Sequence, residues 1–369
     1  MYKRKGIEQM GLPFIEINFK QKAGSIIERS ARGVACIIVR DDTNSTAGYK
    51  RYKYETDIKT ADYSADNLAA IKRCFLVAVN EVIVINVPTE AEFSDAAAIL
   101  TMLKYNYVCA CEVDDQQPLA NYIRTKNSNS KGKKYIAVVN GITTADSMYI
   151  INVKNAKVTL ADTGEIVPMV KYLPRLVSLL ANLPMNRSCT YYTLTDLVDC
   201  EDVETAEKTL DMLIDEGWLC LFNDDGDIRI ARGVNSLVTI TSTETEDMQK
   251  IIIVESMNMI REDIYGEYKN NYVGKYKNHY DNQCLFISAV NGYFRQLQLA
   301  EILDPEYDNH STIDVESQRQ AWLDIGRTDA ADWNADKVKK MTFKSYVFLQ
   351  GDIKILDATE DLKFDIGMQ

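Results

Sequence analysis

Apolar and polar residues alternate strictly near both ends of the chain. Phe14 leads into a run in which Ile15, Ile17 and Phe19 fall on one side and Glu16 and Asn18 on the other. That period predicts a strand over 12–19 with a single apolar face. Pro13 stands at its start, where a missing N–H does little harm. No turn and partner strand follow, because 20–25 is polar chain. At the other end Leu362, Phe364 and Ile366 alternate with Lys363 and Asp365 and predict a second strand of the same kind. A strand with one apolar face and unpaired backbone needs a sheet edge. That edge lies either within the same chain, which composition alone favours, or on a neighbouring copy by strand addition.

Between these ends the pattern changes twice. Continuous apolar runs at 34–39, 81–87, 107–111 and 134–139 read as buried strands. Helical spacing fills 64–74 after Ser64, 89–105 after Thr89, and 118–124. Strands alternating with helices predict a mostly parallel, helix-covered sheet. The segment 26–33 reads as a polar connector stopped by Gly33, and the tyrosine-rich 41–63 as a long surface excursion. After Met148 come short strands at 149–153 and 157–160, a helix over 170–182 despite Pro174, and a boundary at 183–186. A short helix at 194–198 and a longer one at 203–216 precede strands at 218–222 and 228–230, joined by a turn over 223–227. Long helices follow at 245–268, with Ile252, Met259 and Ile260 as core candidates, and at 282–300. An acidic stretch over 303–336 reads as irregular, and strands at 345–349 and 352–356 as a hairpin. The fold class expected is thus α/β plus α+β. It divides into an arm and linker (1–33), an α/β domain (34–184), an α+β domain (185–350), and a last strand with its arm (351–369).

Composition narrows the function. At 369 residues the chain exceeds one core and implies two or three domains. With 54 acids against 42 bases the net charge is −12, a poor match to nucleic acid or to an anionic membrane surface. No apolar run approaches a membrane span, and the basic residues 1–5 precede no signal-like apolar region. Eight cysteines without a C-x-x-C pair suit a reducing compartment, so a soluble protein kept inside a cell is expected. Cys109 and Cys111 flank Ala110 and share a face, where buried thiols are favoured over a metal or redox pair.

Parts for chemistry are sparse. The first strand runs into Arg40, Asp41, Asp42, Thr43 and Asn44, not into a glycine loop, and no P-loop pattern occurs. His279 and His310 are the only histidines, and neither neighbours a nucleophile. No catalytic, cofactor-binding or metal-ligating residue is assigned. The run 224–227 lacks the ligand spacing of a calcium loop and reads as a turn. The order over 194–230 is that of a winged helix, but its recognition helix would carry five carboxylates against Lys208 alone, so a packing module is favoured. Tyr49, Tyr52 and Tyr54 interleave with Lys50, Arg51 and Lys53, a pattern for a polyanion or, more often, an exposed loop or protein contact.

The blocks Gly11-Leu12-Pro13-Phe14-Ile15-Glu16-Ile17-Asn18-Phe19 and Glu28-Arg29-Ser30-Ala31-Arg32-Gly33 resemble the start of contractile tail sheath proteins. The likeness is to those of Gram-positive phages, defective prophages and R-type bacteriocins. It resumes at 230–237, 248–251, 272–275, 280–285 and 347–350, and closes over 354–362. It departs at 1–10, 49–63 and 304–336.

The resemblance implies that both terminal arms cross to neighbouring subunits. Phe14, Ile15, Ile17 and Phe19 would carry one arm, and Leu362, Phe364 and Ile366 the other. Val347, Leu349, Ile353 and Ile355 are candidate accepting strands. It further implies an outer 34–184 domain and an inner, tube-facing 185–350 domain, with tube contacts expected along 245–268. The implied partners are copies of the chain itself, an inner tail tube protein, and baseplate and tail terminator proteins. Neither direct nucleic-acid binding nor stable membrane insertion is implied. The implied place is the tail of a phage or phage-tail-like particle assembled in a bacterial cytoplasm. Lys3, Arg4, Lys5, Lys20 and Lys22 against Asp357, Glu360, Asp361 and Asp365 form an expected charge pair between the arms. The rival readings are a soluble enzyme with a Rossmann-like domain and an acidic winged-helix adaptor.

Overall fold

The structure, a computed structural model, describes residue 27 and residues 32–43 and 47–367. The expected strand 12–19, with Phe14, Ile15, Ile17 and Phe19, lies outside the described residues, as do the lysines and arginine at 3–5, 20 and 22.

A seven-stranded sheet organises the first two-thirds of the chain. Its strands are β1 (Val34–Arg40), β2 (Gly48–Tyr52), β3 (Glu81–Val87), β4 (Tyr107–Ala110), β5 (Ile136–Asn140), β6 (Ile150–Val153) and β10 (Trp218–Leu219). They lie in the order β10-β6-β5-β4-β1-β3-β2, all parallel except β2, which runs antiparallel to β3. Both faces of β1 are buried: Ala35, Ile37 and Val39 enter one core, Cys36 and Ile38 the other. That explains why the central strands carry unbroken apolar runs. Helices α2 (Phe93–Met102) and α3 (Gln116–Asn129) cover the second face, through Leu100, Leu119 and Ile123. On the first face lie α1 (Ala65–Lys72) and α4 (Met169–Asn182), whose Tyr172, Leu173, Leu176 and Val177 are buried.

Two expectations in this half are corrected. The tyrosine-rich segment is not a free excursion but supplies edge strand β2, locked by the buried hydroxyl pair Tyr52–Tyr63 at 3.0 Å. Helix α2 starts at Phe93 rather than Thr89, because the Ala91 N–H is bound to the Pro88 carbonyl in a turn and the Thr89 N–H goes to Asp42.

A three-stranded sheet follows, with β7 (Lys157–Leu160) between β8 (Ile166–Pro168) and β9 (Leu197–Cys200). The expected helix at 194–198 is therefore strand β9. The expected 203–216 helix shrinks to α5 (Leu210–Asp215), which begins where Thr209 accepts the Met212 N–H. With the first helix replaced by a strand and the second reduced to α5, the winged-helix order is lost. The hairpin β11 (Leu221–Asp224) and β12 (Asp227–Ile230) turns on Asp225 (φ 52°) and Gly226 (φ 101°) as expected, but the strand expected over 218–222 is split, Trp218–Leu219 joining the large sheet as β10. Leu194, Leu219, Leu221, Ile228 and Ile230 pack into the same core as β1 and α4, which runs on to Val254.

The last third is built on α6 (Ile251–Glu267) and α7 (Tyr280–Leu299). Met259, Ile260, Phe286, Tyr293 and Leu297 form their shared core, into which Ile27 also inserts, 2 % exposed. The segment expected to be a polar connector thus docks an apolar side chain. Tyr293 donates its buried hydroxyl to Asp263 at 2.6 Å. Beyond them 303–336 is ordered, not irregular. It contains β13 (His310–Ile313) and α8 (Val315–Asp324) and leads into α9 (Ala335–Lys340), closed over Ala330, Trp333 and Val338. Asp314 and Asn334 cap the two helices through the N–H groups of Ser317 and Lys337. The expected final hairpin is a single strand, β14 (Leu349–Asp352), which crosses the predicted turn and pairs antiparallel with β13.

Candidate assembly interface

Among the described residues, strand β14 has a neighbour on one side only. The ladder pairs Thr312 with Gln350, and the Asp314 N–H continues it to the Phe348 carbonyl at 3.0 Å. The peptide groups of Leu349 and Gly351 therefore point to the outer edge. On β13 the corresponding edge is closed. Asn291 of α7 accepts from the Ser311 N–H (2.7 Å) and hydroxyl (2.9 Å) and donates to its carbonyl (3.3 Å). Leu349, Ile353 and Ile355 lean on the α6–α7 core, and Leu303 bridges Ile355. Of the four candidate accepting residues, Leu349 lies in β14, Ile353 and Ile355 continue its line, and Val347 precedes the strand.

The chain then leaves the body. Leu362, Phe364 and Ile366 are 89, 74 and 73 % exposed and lie in no strand. Between β14 and this tail, Glu360 is gripped. Its side chain is 4 % exposed. Thr190 Oγ1 donates to it at 2.5 Å, Ser188 Oγ lies at 3.2 Å, Lys250 Nζ at 3.1 Å and Arg232 Nε at 3.7 Å. Lys250 also binds Asp357, and Arg232 binds Asp361 at 2.5 Å. Burial works against the Lys250 charge, but the bonds to Asp357 and Glu360 prevail and raise its pKa. Asp357, Glu360 and Asp361 are thus engaged within their own chain, and the basic residues expected to lie against them fall outside the described residues. Arg232 and Lys250 fall in the blocks that carry the family resemblance, yet nothing in their spacing pointed to Glu360.

Other expected positions are packed into the fold to differing degrees. Helix α6, expected to face a tube, is buried on several sides; only Tyr265 along it is exposed, at 43 %. It packs against the sheet core through Ile251 and Val254 and against α7 through Met259 and Ile260. Cys109 and Cys111 are fully buried, and burial pushes the Cys111 thiol up to about 12. At the end of β1, where a nucleotide fold would hold a phosphate, Asp41 accepts from Ser64, Asn67 and Thr43. That corner is filled by a carboxylate, which repels phosphate. Among the described residues no cluster of His, Cys, Asp and Glu has the makings of a metal site, and no helix is long and apolar enough to cross a membrane.

Comparison with known proteins gives the family and the fold. The family described as phage tail sheath C-terminal domain matches residues 243–369. A tail sheath protein of Clostridium phage phiCD119 is 31 % identical over 370 residues, covering 97 % of this chain and 99 % of that protein. The fold is shared with a sheath tail protein from Desulfitobacterium hafniense (TM-score 0.66, 15 % identity, 82 % of this chain and 94 % of the other). It is shared too with the anti-feeding prophage helical sheath in its contracted state (TM-score 0.69, 10 % identity, 97 % and 99 %). The 31 % identity to the Clostridium phage protein along nearly the whole length decides the matter: this chain belongs to the phage tail sheath family.

Proposed function

We propose that this structural sheath subunit polymerises with copies of itself into a helical cylinder around an inner tail tube. Baseplate and tail terminator proteins would bound the cylinder, and its contraction drives the tube through a target envelope. The observation that carries the reading is the strand-patterned tail of Leu362, Phe364 and Ile366, left exposed in a chain whose β14 edge has no partner among the described residues. In this proposal the tail is donated to a neighbouring copy, and 12–19, with Phe14, Ile15, Ile17 and Phe19, is the second donated arm. Leu349, Ile353 and Ile355, with Val347, form the receiving segment. The 34–184 part faces outward and the 185–350 part faces the tube.

The energetics fit. Burying each large side chain yields roughly 1.5–3 kcal/mol before ordering costs. Each strand hydrogen bond adds about 0.5–1.5 kcal/mol net. One arm is a modest contact, but a lattice in which every subunit gives and receives arms is durable through multivalency. Subunits then rotate and slide on their linkers without losing connectivity. Contraction is driven by free energy stored between subunits, so no nucleotide is needed.

Sedimentation tests this reading. The full chain, a chain starting at Lys20 and a chain ending at Asp361 are each mixed with the inner tube protein. Pelleting of the full chain alone supports exchanged arms. Equal pelleting of all three would return the arms to their own subunit.

A further inference from the structure

We propose that Glu360 is a positioning residue, whose carboxylate, held by Lys250, Arg232, Ser188 and Thr190, fixes where and in which direction the C-terminal arm leaves the subunit. The inference rests on the reading of the tail as an intermolecular arm.

Three separate parts of the fold build this socket. Ser188 and Thr190 follow α4, Arg232 follows β12, and Lys250 immediately precedes α6. Gly233 lets them close: a Cβ there would stand 2.8 Å from Cys189 Sγ and 3.3 Å from Thr190 Oγ1. Its N–H instead donates to Thr190 Oγ1 at 2.9 Å, leaving the Thr190 hydroxyl proton for Glu360. The carboxylate thereby ties the tail at once to the sheet core and to the central helix. Burying it costs hydration, which the hydroxyl and the two cations offset.

The boundary between held and free chain is sharp. Glu360 has a 4 % exposed side chain, whereas every residue from Asp361 to Gly367 is exposed. Asp357 and Asp361 bind Lys250 and Arg232 on either side of it, so the root is held at three points. An arm that must find one strand edge on a neighbour loses less entropy when its root is already placed. Its effective concentration at that edge depends on the length and stiffness of chain between root and target. A fixed root therefore sets the assembly's geometry, not merely the subunit's stability.

The test compares assembly of the full chain with three variants, each beside the inner tube protein. The readouts are the lowest concentration giving sedimentable cylinders, the monomer melting temperature, and the anisotropy of a fluorophore joined to the C-terminus. Glu360→Gln keeps the shape but loses the charge. It is expected to free the fluorophore and raise the assembly concentration roughly tenfold. A Gly-Gly insertion between Asp361 and Leu362 keeps the socket and the alternation but displaces the arm; it is expected to impair assembly to a similar degree at an unchanged melting temperature. Should Glu360→Gln unfold the monomer, the insertion alone decides. Assembly of Glu360→Gln like the parent, or full tolerance of the insertion, overturns the proposal. In the third variant Leu362, Phe364 and Ile366 are all changed to Ser. If it assembles like the parent, the arm reading itself fails and the positioning role goes with it. If it does not assemble while Glu360→Gln does, only the positioning role falls.

Discussion

Lys126 lies 4.1, 4.8 and 5.5 Å from the ring centres of Tyr135, Tyr105 and Tyr122, and donates to the Leu100 carbonyl. Burial lowers its pKa to about 8. The unfolded chain keeps that proton up to roughly pH 10.4, so between these values the unfolded state binds more protons and stability rises with pH. Lys126→Met keeps the apolar stem and removes the titration. The parent is expected to gain stability relative to this variant between pH 7.5 and 9.5 in urea unfolding; a constant difference would contradict the assignment. Gly33 gives a second test. It sits at φ +88°, and a Cβ would clash with Asn182 Oδ1, the oxygen that accepts the Asn80 N–H. Gly33→Ala is expected to cost at least about 1–2 kcal/mol by the backbone term alone, seen as a lower melting temperature. Gly33 was legible in the sequence as a stop, because its constraint is local. The Glu360 socket was not, because its partners lie 110 and 170 positions away along the chain.

The elements follow the same division between local and distant causes. Strands β1 and β3 were readable because burial on both faces leaves an unbroken apolar run. The edge strands β2 and β13 and the helices α8 and α9 were missed because polar and charged residues dominate them and tertiary contacts decide their state. Strand β14 was misread as two because Gly351, which lies 3.3 Å from the His310 carbonyl by its would-be Cβ, signals a turn in sequence but serves a close approach in space. Two predictions belong here. Asn291→Ala removes the side chain that closes β13 at Ser311, and is expected to destabilise the fold by about 1–3 kcal/mol. Unfolding in denaturant reads it, and an unchanged midpoint would contradict the closed edge. Changing Leu362, Phe364 and Ile366 together to Ser is expected to shift monomer stability by no more than ~0.5 kcal/mol, since these side chains already face solvent. Assembly is expected to be lost nonetheless. A large fall in the melting temperature of the isolated subunit would show the arm docked at home.

The whole molecule combines a large sheet core, a central helix and a small open sheet. That core reaches from Ala35 to Val254, and the α6–α7 core takes in Ile27 at one end and Ile355 at the other. Among the described residues the two cores are thus well filled, while the outer edge of β14 has no partner and the tail is exposed. This asymmetry separates a polymer subunit from the rival readings: an enzyme or an adaptor would be complete as a monomer or a small closed oligomer. Negative-stain microscopy of the purified full chain with its inner tube protein reads the difference directly. Long hollow cylinders are expected. Monomers or small closed oligomers at every salt concentration tried would contradict the sheath account.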